Sequence, residues 1–432
     1  MIREIKDGVL YFDGCSTLEL AQKFGTPLYV MSETGILEKF DELRECFLDK
    51  YPNTRVAYAC KAFCSMAMIK LCEREGMCID VVSGGELFTA ISAGFPAERI
   101  EFNGNNKLYS ELEMAIDYGI GRIIIDSPLE LKMIEEICEK KNKRVKVLYR
   151  ITPGIKADSH DYIVTGKKDS KFGFPIDEDV LYPELERAVN SPYVEFMGLH
   201  FHIGSQILDN DPYLQAVEVM LSHIKDIREK LSYEVKEINL GGGFGAVYTD
   251  EEKKPYSYFI DPIMARIQNE YKENNLPMPS IVIEPGRSIV AEAGMSLYTV
   301  GNVKEIRGVR KYAAVDGGMP DNIRPALYQC AYDGMVANKA DLPNKEKVTV
   351  CGKCCESGDI LIRDCFVPEN ISRGDLFAVF STGAYGYSMA SNYNSNPIPA
   401  VVLVKQGISE IIVKRQSYDE IIERNLIPQM LK

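Results

Sequence analysis

The sequence lacks any long apolar run and has no excess of positive charge. Its longest apolar stretches are about six to eight residues between charged flanks, well short of the ~20 needed for a membrane-spanning helix. Acidic residues number 63 against 50 basic ones, which gives a formal net charge of -13. Nucleic-acid backbones and anionic membranes are bound by basic faces, so the composition argues against both kinds of partner.

An apolar leader segment is also missing from the start of the sequence, which reads MIREIKDGVLYFDG and is polar and strand-like. The chain has 12 cysteines but only four histidines. Without a leader, a reducing cytoplasm is a better expectation for these cysteines than a disulfide framework. The sequence has no internal repeat and no low-complexity segment. We therefore expect a cytoplasmic, globular protein.

Short apolar runs alternate with helical periodicity through the first two thirds of the chain, the pattern of parallel strands joined by crossover helices. Eight such runs predict a closed (β/α)8 TIM barrel. The predicted strands are RVAYACKA at 55–62, CIDVVS at 78–83, RIEFNG at 99–104, RIIIDS at 122–127, KVLYRIT at 146–152, FMGLHFHI at 196–203, EINLGG at 237–242 and SIVIEPG at 280–286.

The residue pattern changes after Arg287, and this change predicts a second domain. Valine-rich, glycine-punctuated runs such as MSLYTVGNVKEI and PAVVLVKQG replace the helical patterns and favour an antiparallel β-sandwich or β-barrel. The strand-like segments VLYFDG and TPLYVMS near the start are expected to join that sheet. The predicted domains are therefore a barrel at 34–285 and a discontinuous β domain at 1–33 and 286–432.

Lys61 is the first candidate catalytic residue. Period-two alternation in RVAYACKAF places Ala57, Ala59 and Lys61 on one strand face. A lysine at a barrel strand end, behind two small alanines, can form an imine. Taken alone, it is more simply explained as a strand-end lysine that points into solvent, and the other motifs reverse that interpretation.

Two histidines and a glycine run lie on later strands. His200 and His202 in GLHFHIGSQ are two apart, so both are predicted to face the same side of one strand, with Ser205 in the following loop. They could bind zinc, but no third ligand is evident, and the neutral ring of His202 could instead stack on a planar cofactor. The run NLGGGFG follows the seventh strand and lets backbone N–H groups approach a phosphate, or it is simply a tight turn.

Charged residues at the ends of two further strands add to the predicted barrel mouth. Glu284 ends the eighth strand, where its carboxylate could keep a pyridine nitrogen protonated, or could merely cap a helix or pair with Arg287. Arg150 ends the fifth strand and is expected to line the mouth beside a cofactor, or to pair with an acid. Active sites of such barrels lie at the carboxyl ends of the strands.

The predicted β domain carries two further motifs. VTVCGKCCESGDIL contains one C-x-x-C, but no second pair stands at a matching distance, so we expect no metal. Cys355 and Glu356 could instead supply an acid and an anion for a substrate ammonium. DNIRPALY places Arg324 four residues before Tyr328, a spacing suited to gripping a carboxylate or to an ordinary surface turn.

Taken in order, these motifs resemble the diaminopimelate decarboxylase family. The segments that carry the resemblance are TPLYV, YACKA, NGNNK, TGKKDSKFGF at 165–174, HFHIGSQ, GGGFG, EPGR, DGGMPDNIRPALY, CESGD and GAYGYSMASNYN. They cover nearly the whole chain. The resemblance implies an alanine-racemase-like barrel followed by a β domain, in a homodimer whose two active sites each use residues of both subunits. One departure from the family pattern, Asn396-Pro397-Ile398 where many members carry a basic residue, falls outside these motifs.

The resemblance also implies a site for pyridoxal 5'-phosphate. Lys61 would hold the cofactor, His202 would stack on its ring and Glu284 would face the pyridine nitrogen. Asp80 would lie nearby. The residues implied at the phosphate are Ser205, Gly242, Gly243 and Tyr385.

The substrate implied by the resemblance is meso-diaminopimelate, which would lose one carboxylate to give L-lysine. Glu356 would meet an ammonium group, and Cys355 of the other subunit would donate a proton, although Lys61 could deliver it instead. The residues implied at the retained carboxylate are Arg287, Arg324 and Tyr328, with Tyr385 close by.

Three alternatives share this barrel. An alanine racemase is disfavoured by the residue expected at the pyridine nitrogen. In the racemase family that residue is an arginine, whereas this chain has Glu284. Decarboxylases of ornithine, arginine or carboxynorspermidine differ at the far end of the substrate, where Arg324, Tyr328 and Glu356 suit a second amino-acid head. A non-catalytic relative would be expected to lack Lys61, Cys355 or the second domain.

Overall fold

The computed structural model describes residues 2–155 and 170–432. The chain folds into two compact units. The barrel unit comprises Lys39–Gly245 and Lys253–Ser288, and the sheet unit comprises Met1–Glu38, Ala246–Glu252 and Ile289–Lys432. The sheet unit is therefore assembled from three separate stretches of chain. Part of the segment TGKKDSKFGF, residues 165–169, lies outside the described residues.

The N-terminal stretch forms short strands and two helices. Their bounds are β1 (Arg3–Lys6), β2 (Val9–Phe12), β3 (Cys15–Ser16), α1 (Thr17–Phe24), β4 (Leu28–Ser32) and α2 (Glu33–Leu43). The strands β1, β2 and β3 pair with one another in an antiparallel sheet of their own. The expectation that VLYFDG joins the large sheet is therefore wrong, because its strand β2 pairs with its immediate neighbours in sequence.

Eight parallel strands close into a barrel, as predicted. The strands of the barrel unit are β5 (Thr54–Ala59), β6 (Cys78–Val81), β7 (Ile100–Phe102), β8 (Arg122–Ile125), β9 (Val145–Thr152), β10 (Phe174–Pro175), β11 (Val194–His200), β12 (Glu237–Asn239) and β13 (Ser280–Ile283). All except β10, which only flanks β9, form the closed ring: β13 pairs with β5, and β8 pairs with β9. All eight predicted segments are confirmed, although seven strands end earlier than predicted and three begin earlier.

Helices follow the barrel strands in the crossover positions. They are α3 (Met66–Arg74), α4 (Gly84–Ser92), α5 (Tyr109–Tyr118), α6 (Pro128–Lys141), α7 (Glu178–Asn190), α8 (Asp211–Leu231) and α9 (Tyr256–Glu273). Three of them begin at a serine whose side chain accepts a hydrogen bond from the helix backbone: Ser65, Ser83 and Ser127. These caps fix where each strand-to-helix turn ends. Among the described residues, no helix is long and apolar enough to cross a membrane.

Charged side chains, and not only apolar ones, fill part of the barrel interior. The Arg122 guanidinium donates to both carboxylate oxygens of Glu237, at 3.0 and 3.1 Å. Arg55 lies 2.6 Å from Glu237 and 3.6 Å from Glu101. Both glutamates are buried, so the two arginines offset charge that would otherwise be very costly to bury. This layer connects to the candidate site through Asn239, which donates to Glu101 at 2.9 Å.

The sheet unit is built mainly from strands that follow the barrel. Its later elements are α10 (Arg287–Val290), β14 (Gly294–Ile306), β15 (Arg310–Val315), α11 (Arg324–Tyr328), β16 (Gly334–Val336), β17 (Asn344–Cys351), β18 (Ile360–Pro368), β19 (Leu376–Val379), β20 (Ala400–Lys405), β21 (Ile408–Val413) and α12 (Tyr418–Ile422). The large sheet runs in the order β18-β17-β15-β14-β4-β20-β21. As expected for TPLYVMS, β4 joins it, between β14 and β20. Most pairs are antiparallel, but β15 with β17 and β4 with β20 are parallel.

A buried ion pair between the β7–α5 loop and α6 makes a contribution to stability that can be tested. The Lys107 ammonium donates to Glu130 at 2.6 Å, to the Ile124 carbonyl at 2.7 Å and to the Gly104 carbonyl at 2.8 Å. Both side chains are almost fully buried. Lys107→Met leaves Glu130 without its cation, so we expect a loss of about 3 to 5 kcal/mol in the free energy of unfolding.

Thermal unfolding of Lys107→Met, compared with that of a surface control variant, tests this loss of stability. Lys70 pairs with Glu73 at 2.6 Å on an exposed helix face, so Lys70→Met should cost no more than about 0.5 kcal/mol. Equal midpoints for the two variants would show that Lys107 is not needed for stability.

Candidate active site

Lys61 lies just beyond the first barrel strand. The strand β5 ends at Ala59, and Lys61 follows in a short 3₁₀ turn, Cys60–Ala62. The prediction that Lys61 shares a strand face with Ala57 and Ala59 is therefore wrong, because the strand stops before it. Its ammonium nitrogen lies 3.6 Å from Asp80 Oδ2, and one third of the side chain is exposed. An accessible amine thus stands next to a buried carboxylate at the carboxyl ends of the strands.

Glu284 directly follows β13 and is buried. Its Oε1 accepts hydrogen bonds from the amides of Asn103 and Asn239, both at 2.9 Å, and its Oε2 lies 3.0 Å from His200 Nε2. Burial alone would raise the pKa of Glu284, but His200 and Lys61 outweigh it and hold that pKa below its usual range. The carboxylate is therefore ionised, and it pairs with His200 and not with Arg287.

The two histidines of HFH have different environments. The strand β11 ends at His200, so His202 lies in the loop beyond it and the two do not share a strand face. His202 Nδ1 accepts a hydrogen bond from the Gly242 amide at 3.2 Å. Burial, with the nearby charge of Lys61, holds the pKa of His202 well below its usual range, so its ring is neutral. Among the described residues, no group of three His, Cys, Asp or Glu side chains could hold a metal ion.

The glycine run after β12 is required by close backbone packing. A Cβ added at Gly241 would lie 2.2 Å from the Phe201 carbonyl oxygen, and one at Gly242 would lie 2.0 Å from that of Glu284. Gly243 has φ +109, which L side chains rarely adopt. The loops after β11, β12 and β13 can therefore meet only because these residues lack side chains. This reason is independent of any phosphate.

Two arginines of the barrel unit are buried at the same end. Arg287 donates from Nε and Nη2 to the Ser205 hydroxyl, at 3.1 and 2.9 Å, which joins two residues that the sequence singled out separately. The Arg150 guanidinium lies 4.4 Å from the centre of the Phe172 ring. Burial lowers the pKa of Arg150, and within residues 2–155 and 170–432 it forms no ion pair. Asp126, Glu284 and Asp80 act on its charge without forming an ion pair with it.

Three predicted residues of the sheet unit, Arg324, Tyr328 and Tyr385, lie close together. The guanidinium lies 5.1 Å from the ring centre of Tyr328 and 5.3 Å from that of Tyr385. Its Nε donates to the Tyr332 hydroxyl at 3.0 Å, and its Nη2 to Cys330 Sγ at 3.4 Å. Burial alone would lower the pKa of Arg324, but the phenol of Tyr332 helps to raise it, so the charge is retained. A fixed guanidinium fork of this kind suits a carboxylate.

Known proteins match this chain over nearly its full length. A family model described as "Pyridoxal-dependent decarboxylase, pyridoxal binding domain" matches residues 35–291. A diaminopimelate decarboxylase of Bacillus subtilis is 47% identical over 98% of this chain and 97% of its own length. One of Bacillus methanolicus is 49% identical over 95% of each chain. The chain belongs to the diaminopimelate decarboxylase family.

Solved structures of diaminopimelate decarboxylases share the fold as well. That of M. jannaschii, in co-complex with L-lysine, is 36% identical, covers 100% of this chain and 99% of its own, and has a TM-score of 0.93. That of Helicobacter pylori, complexed with L-lysine, is 33% identical over 94% of this chain and 98% of its own, with a TM-score of 0.85.

Cys355 and Glu356 lie on an exposed loop after β17. The Cys355 amide donates to Asn394 Oδ1 at 2.9 Å, and Glu356 Oε2 accepts from the Tyr393 hydroxyl at 3.4 Å. Among the described residues, no hydrogen bond or ion pair joins either of them to Arg324. The described residues of a single chain therefore give no direct link between this pair and Arg324.

The barrel end fits pyridoxal phosphate, the cofactor of this family. It offers a lysine amine, an ionised buried carboxylate and a neutral imidazole, which are the groups that such a cofactor needs. Asp80 Oδ2 and His200 Nδ1 are buried and have no hydrogen-bond partner among the described residues. Buried polar atoms that lack hydrogen bonds are rare in folded proteins, and these two leave hydrogen-bonding capacity for a polar ligand.

Sequence reasoning missed Asn103, Asn239 and Tyr332. Each contacts a predicted site residue: Glu284 for the two asparagines and Arg324 for the tyrosine. Asn103 and Asn239 stand at the carboxyl ends of β7 and β12, so position in the barrel was a signal that could have identified them. Tyr332 gave no such signal.

Proposed function

We propose that this chain uses pyridoxal phosphate to decarboxylate meso-2,6-diaminopimelate to L-lysine and carbon dioxide, the last step of lysine biosynthesis. The observation that carries the proposal is the 47% identity to a diaminopimelate decarboxylase over 98% of the chain. The site residues support the same chemistry. Formation of L-lysine and carbon dioxide from the purified protein, its cofactor and this substrate is the test.

Bound at Lys61, the cofactor would supply a protonated ring that accepts the electron pair left by the departing carbon dioxide. Glu284 is ionised and buried, so it can keep a proton at the ring nitrogen. His202 presents a neutral ring suited to stacking. Asp80 lies beside the Lys61 amine and stabilises its charged form.

The phosphate of the cofactor needs donors that lie close to the backbone. Gly242, Gly243, Ser205 and Tyr385 are the residues that we propose for it. Tyr385 has φ +61, a left-handed conformation that is unfavourable for a bulky side chain and often marks a functional position. Arg150 is proposed beside the cofactor because its buried charge has no ion-pair partner among the described residues.

The retained end of the substrate carries a carboxylate and an ammonium. Arg324 and Tyr328, with Arg287 and Tyr385, are proposed to bind the carboxylate, and Glu356 the ammonium. Arg324 is already held by Tyr332, so little side-chain freedom is lost when a carboxylate binds. Cys355 is proposed as the proton donor to the carbon that lost its carboxylate.

A homodimer with shared sites is part of the proposal, because Cys355 and Glu356 are exposed and, among the described residues, form no hydrogen bond or ion pair with Arg324. All 12 cysteines are free thiols, in keeping with the proposed cytoplasmic location. If Cys355 reaches the partner's barrel, a dimer of one Lys61→Ala and one Cys355→Ala chain has one site with both residues intact.

Mixing the Lys61→Ala and Cys355→Ala proteins tests whether the two subunits share their active sites. At equal amounts about half of the dimers are mixed, so about a quarter of the wild-type activity should return. Lys61→Ala mixed with Glu284→Ala is the matched control. Both of its residues belong to one barrel unit, so no site is repaired. No recovery in the first mixture, once native mass spectrometry shows subunit exchange, would exclude a shared site.

A further inference from the structure

Asp80 and Glu284 are two buried carboxyl groups at the candidate site, with exposed fractions of 0% and 4%. They stand at the ends of different barrel strands, and the charge of Glu284 raises the pKa of Asp80. Like charges in a low-dielectric interior repel strongly unless donors or cations intervene. A hydrogen-bond donor between the two carboxyl groups therefore lowers the repulsion between them.

One side-chain amide connects them. The Asn103 Nδ2 nitrogen donates to Asp80 Oδ1 at 2.8 Å and to Glu284 Oε1 at 2.9 Å, so each of its two hydrogens serves one carboxyl group. Asn103 is 4% exposed. Its Oδ1 is buried and has no hydrogen-bond partner among the described residues. A flipped amide would place that oxygen against two carboxyl oxygens, so only this orientation is compatible with both neighbours.

Asn239 makes a second bridge but differs in one respect. Its Nδ2 donates to Glu101 and Glu284, both at 2.9 Å, while its Oδ1 accepts from the Gly241 amide at 2.9 Å. The backbone thus fixes Asn239 independently of the carboxylates. Asn103 is held by the two carboxyl groups that it joins, and its role is specific to the pair Asp80 and Glu284.

We propose that Asn103 is a positioning residue, whose single amide nitrogen holds Asp80 and Glu284 in place for the cofactor and limits their repulsion. This inference rests on the proposed function. Asn103 acts through the two carboxyl groups and needs no contact of its own with the substrate. Its loss should therefore alter how the cofactor is bound and how the bound cofactor responds to pH.

The direction of the pH effect follows from the neighbours of Asp80. Burial, helped by Glu284 and Glu86, raises the pKa of Asp80, whereas Lys61 and Asn103 lower it, and the net pKa is about 7. Arg150 also interacts with Asp80. Removing the Asn103 donor takes away stabilisation of the anion alone, so Asp80 should hold its proton to higher pH in the variant.

Cofactor titrations of variants test the proposal. Asn103→Asp keeps the shape, removes the amide donors and adds a third carboxyl group, whereas Asn103→Ala removes the bridge without adding charge. Lost hydrogen bonds to charged groups typically change an equilibrium about tenfold or more, so we expect about a tenfold rise in the Kd for pyridoxal phosphate. The midpoint of the pH-dependent change in the visible band should move up by about one pH unit.

Asn338→Asp is the matched control, because the Asn338 amide donates to Asp375 at 3.0 Å in the sheet unit. It should leave both the Kd and the midpoint unchanged. Folded Asn103 variants with wild-type Kd and midpoint overturn the proposal. If neither variant folds, a crystal structure of the wild-type holoenzyme decides: the proposal fails if Nδ2 does not contact both carboxyl groups.

The wild-type titration separates this inference from the proposed function. Wild-type protein that binds pyridoxal phosphate but does not decarboxylate meso-diaminopimelate contradicts the function, and the comparison between Asn103 variants and wild type still decides the role of Asn103. Unchanged variants in an active decarboxylase contradict only the positioning role.

Discussion

Replacing Lys61 with alanine is expected to lower kcat for decarboxylation by about a thousandfold or more, the scale on which loss of a covalent catalytic group acts. Lys61 is the lysine whose amine lies next to Asp80, at 3.6 Å. Lys107 is buried and paired with Glu130. No second amine among the described barrel-end residues is thus poised to replace it.

The site of cofactor attachment can be measured together with the rate. Borohydride treatment of wild-type protein loaded with pyridoxal phosphate should place a stable label on the peptide that contains Lys61. The Lys61→Ala protein should carry none there, and the exposed Lys70→Ala control should behave as wild type. Wild-type turnover by Lys61→Ala, or a label at another lysine in wild type, would remove Lys61 from the mechanism.

Replacing Arg324 with alanine is expected to lower kcat/KM for meso-diaminopimelate by about thirtyfold or more. Loss of one partner in a desolvated charged contact typically costs about 2 to 5 kcal/mol, and each 1.4 kcal/mol is about tenfold. Arg324 is buried and held by Tyr332 and Cys330, so its fork is set before a carboxylate arrives. The cofactor colour should survive because Arg324 is not proposed to touch the ring or the phosphate.

Three further variants show which property of Arg324 matters. Arg324→Lys keeps a charge but loses the bidentate fork, so it should rescue only part of the rate. Tyr332→Phe removes the acceptor for Nε and should cost about threefold to tenfold. Arg310→Ala, at a half-buried surface arginine of the same sheet unit, should have no effect. An Arg324→Ala protein with wild-type kcat/KM would exclude Arg324 from substrate binding.

Much of the fold could be predicted because each barrel strand is a short apolar run bounded by polar residues. The ends of the strands could not, since they depend on tertiary hydrogen bonds. The Ala59 amide donates to the Pro285 carbonyl at 3.0 Å, after which the chain turns and Lys61 leaves the strand. Alternation in the sequence continues through this point and gives no sign of the turn.

Contacts between distant segments account for most of what the sequence did not reveal at the site. Arg324 and Tyr328 are four residues apart on the short helix α11, so their proximity could be predicted from spacing. The contact of Arg324 with Tyr332 needs a chain reversal through Gln329, whose φ is +55. Likewise, the bridge through Asn103 exists only because the ends of β6, β7 and β13 come together in the closed barrel. Spacing along one strand cannot predict such meetings.

We expect this chain to act as a decarboxylase specific for meso-diaminopimelate. The most direct measurement compares carbon dioxide release and product formation from meso-diaminopimelate, lysine, ornithine and arginine, with pyridoxal phosphate present. Substrates without the distal carboxylate leave the buried donors around Arg324 unpaired, so meso-diaminopimelate should be preferred by about a hundredfold or more in kcat/KM, with L-lysine as product. A preference for ornithine or arginine, or no L-lysine from meso-diaminopimelate, would contradict the claim.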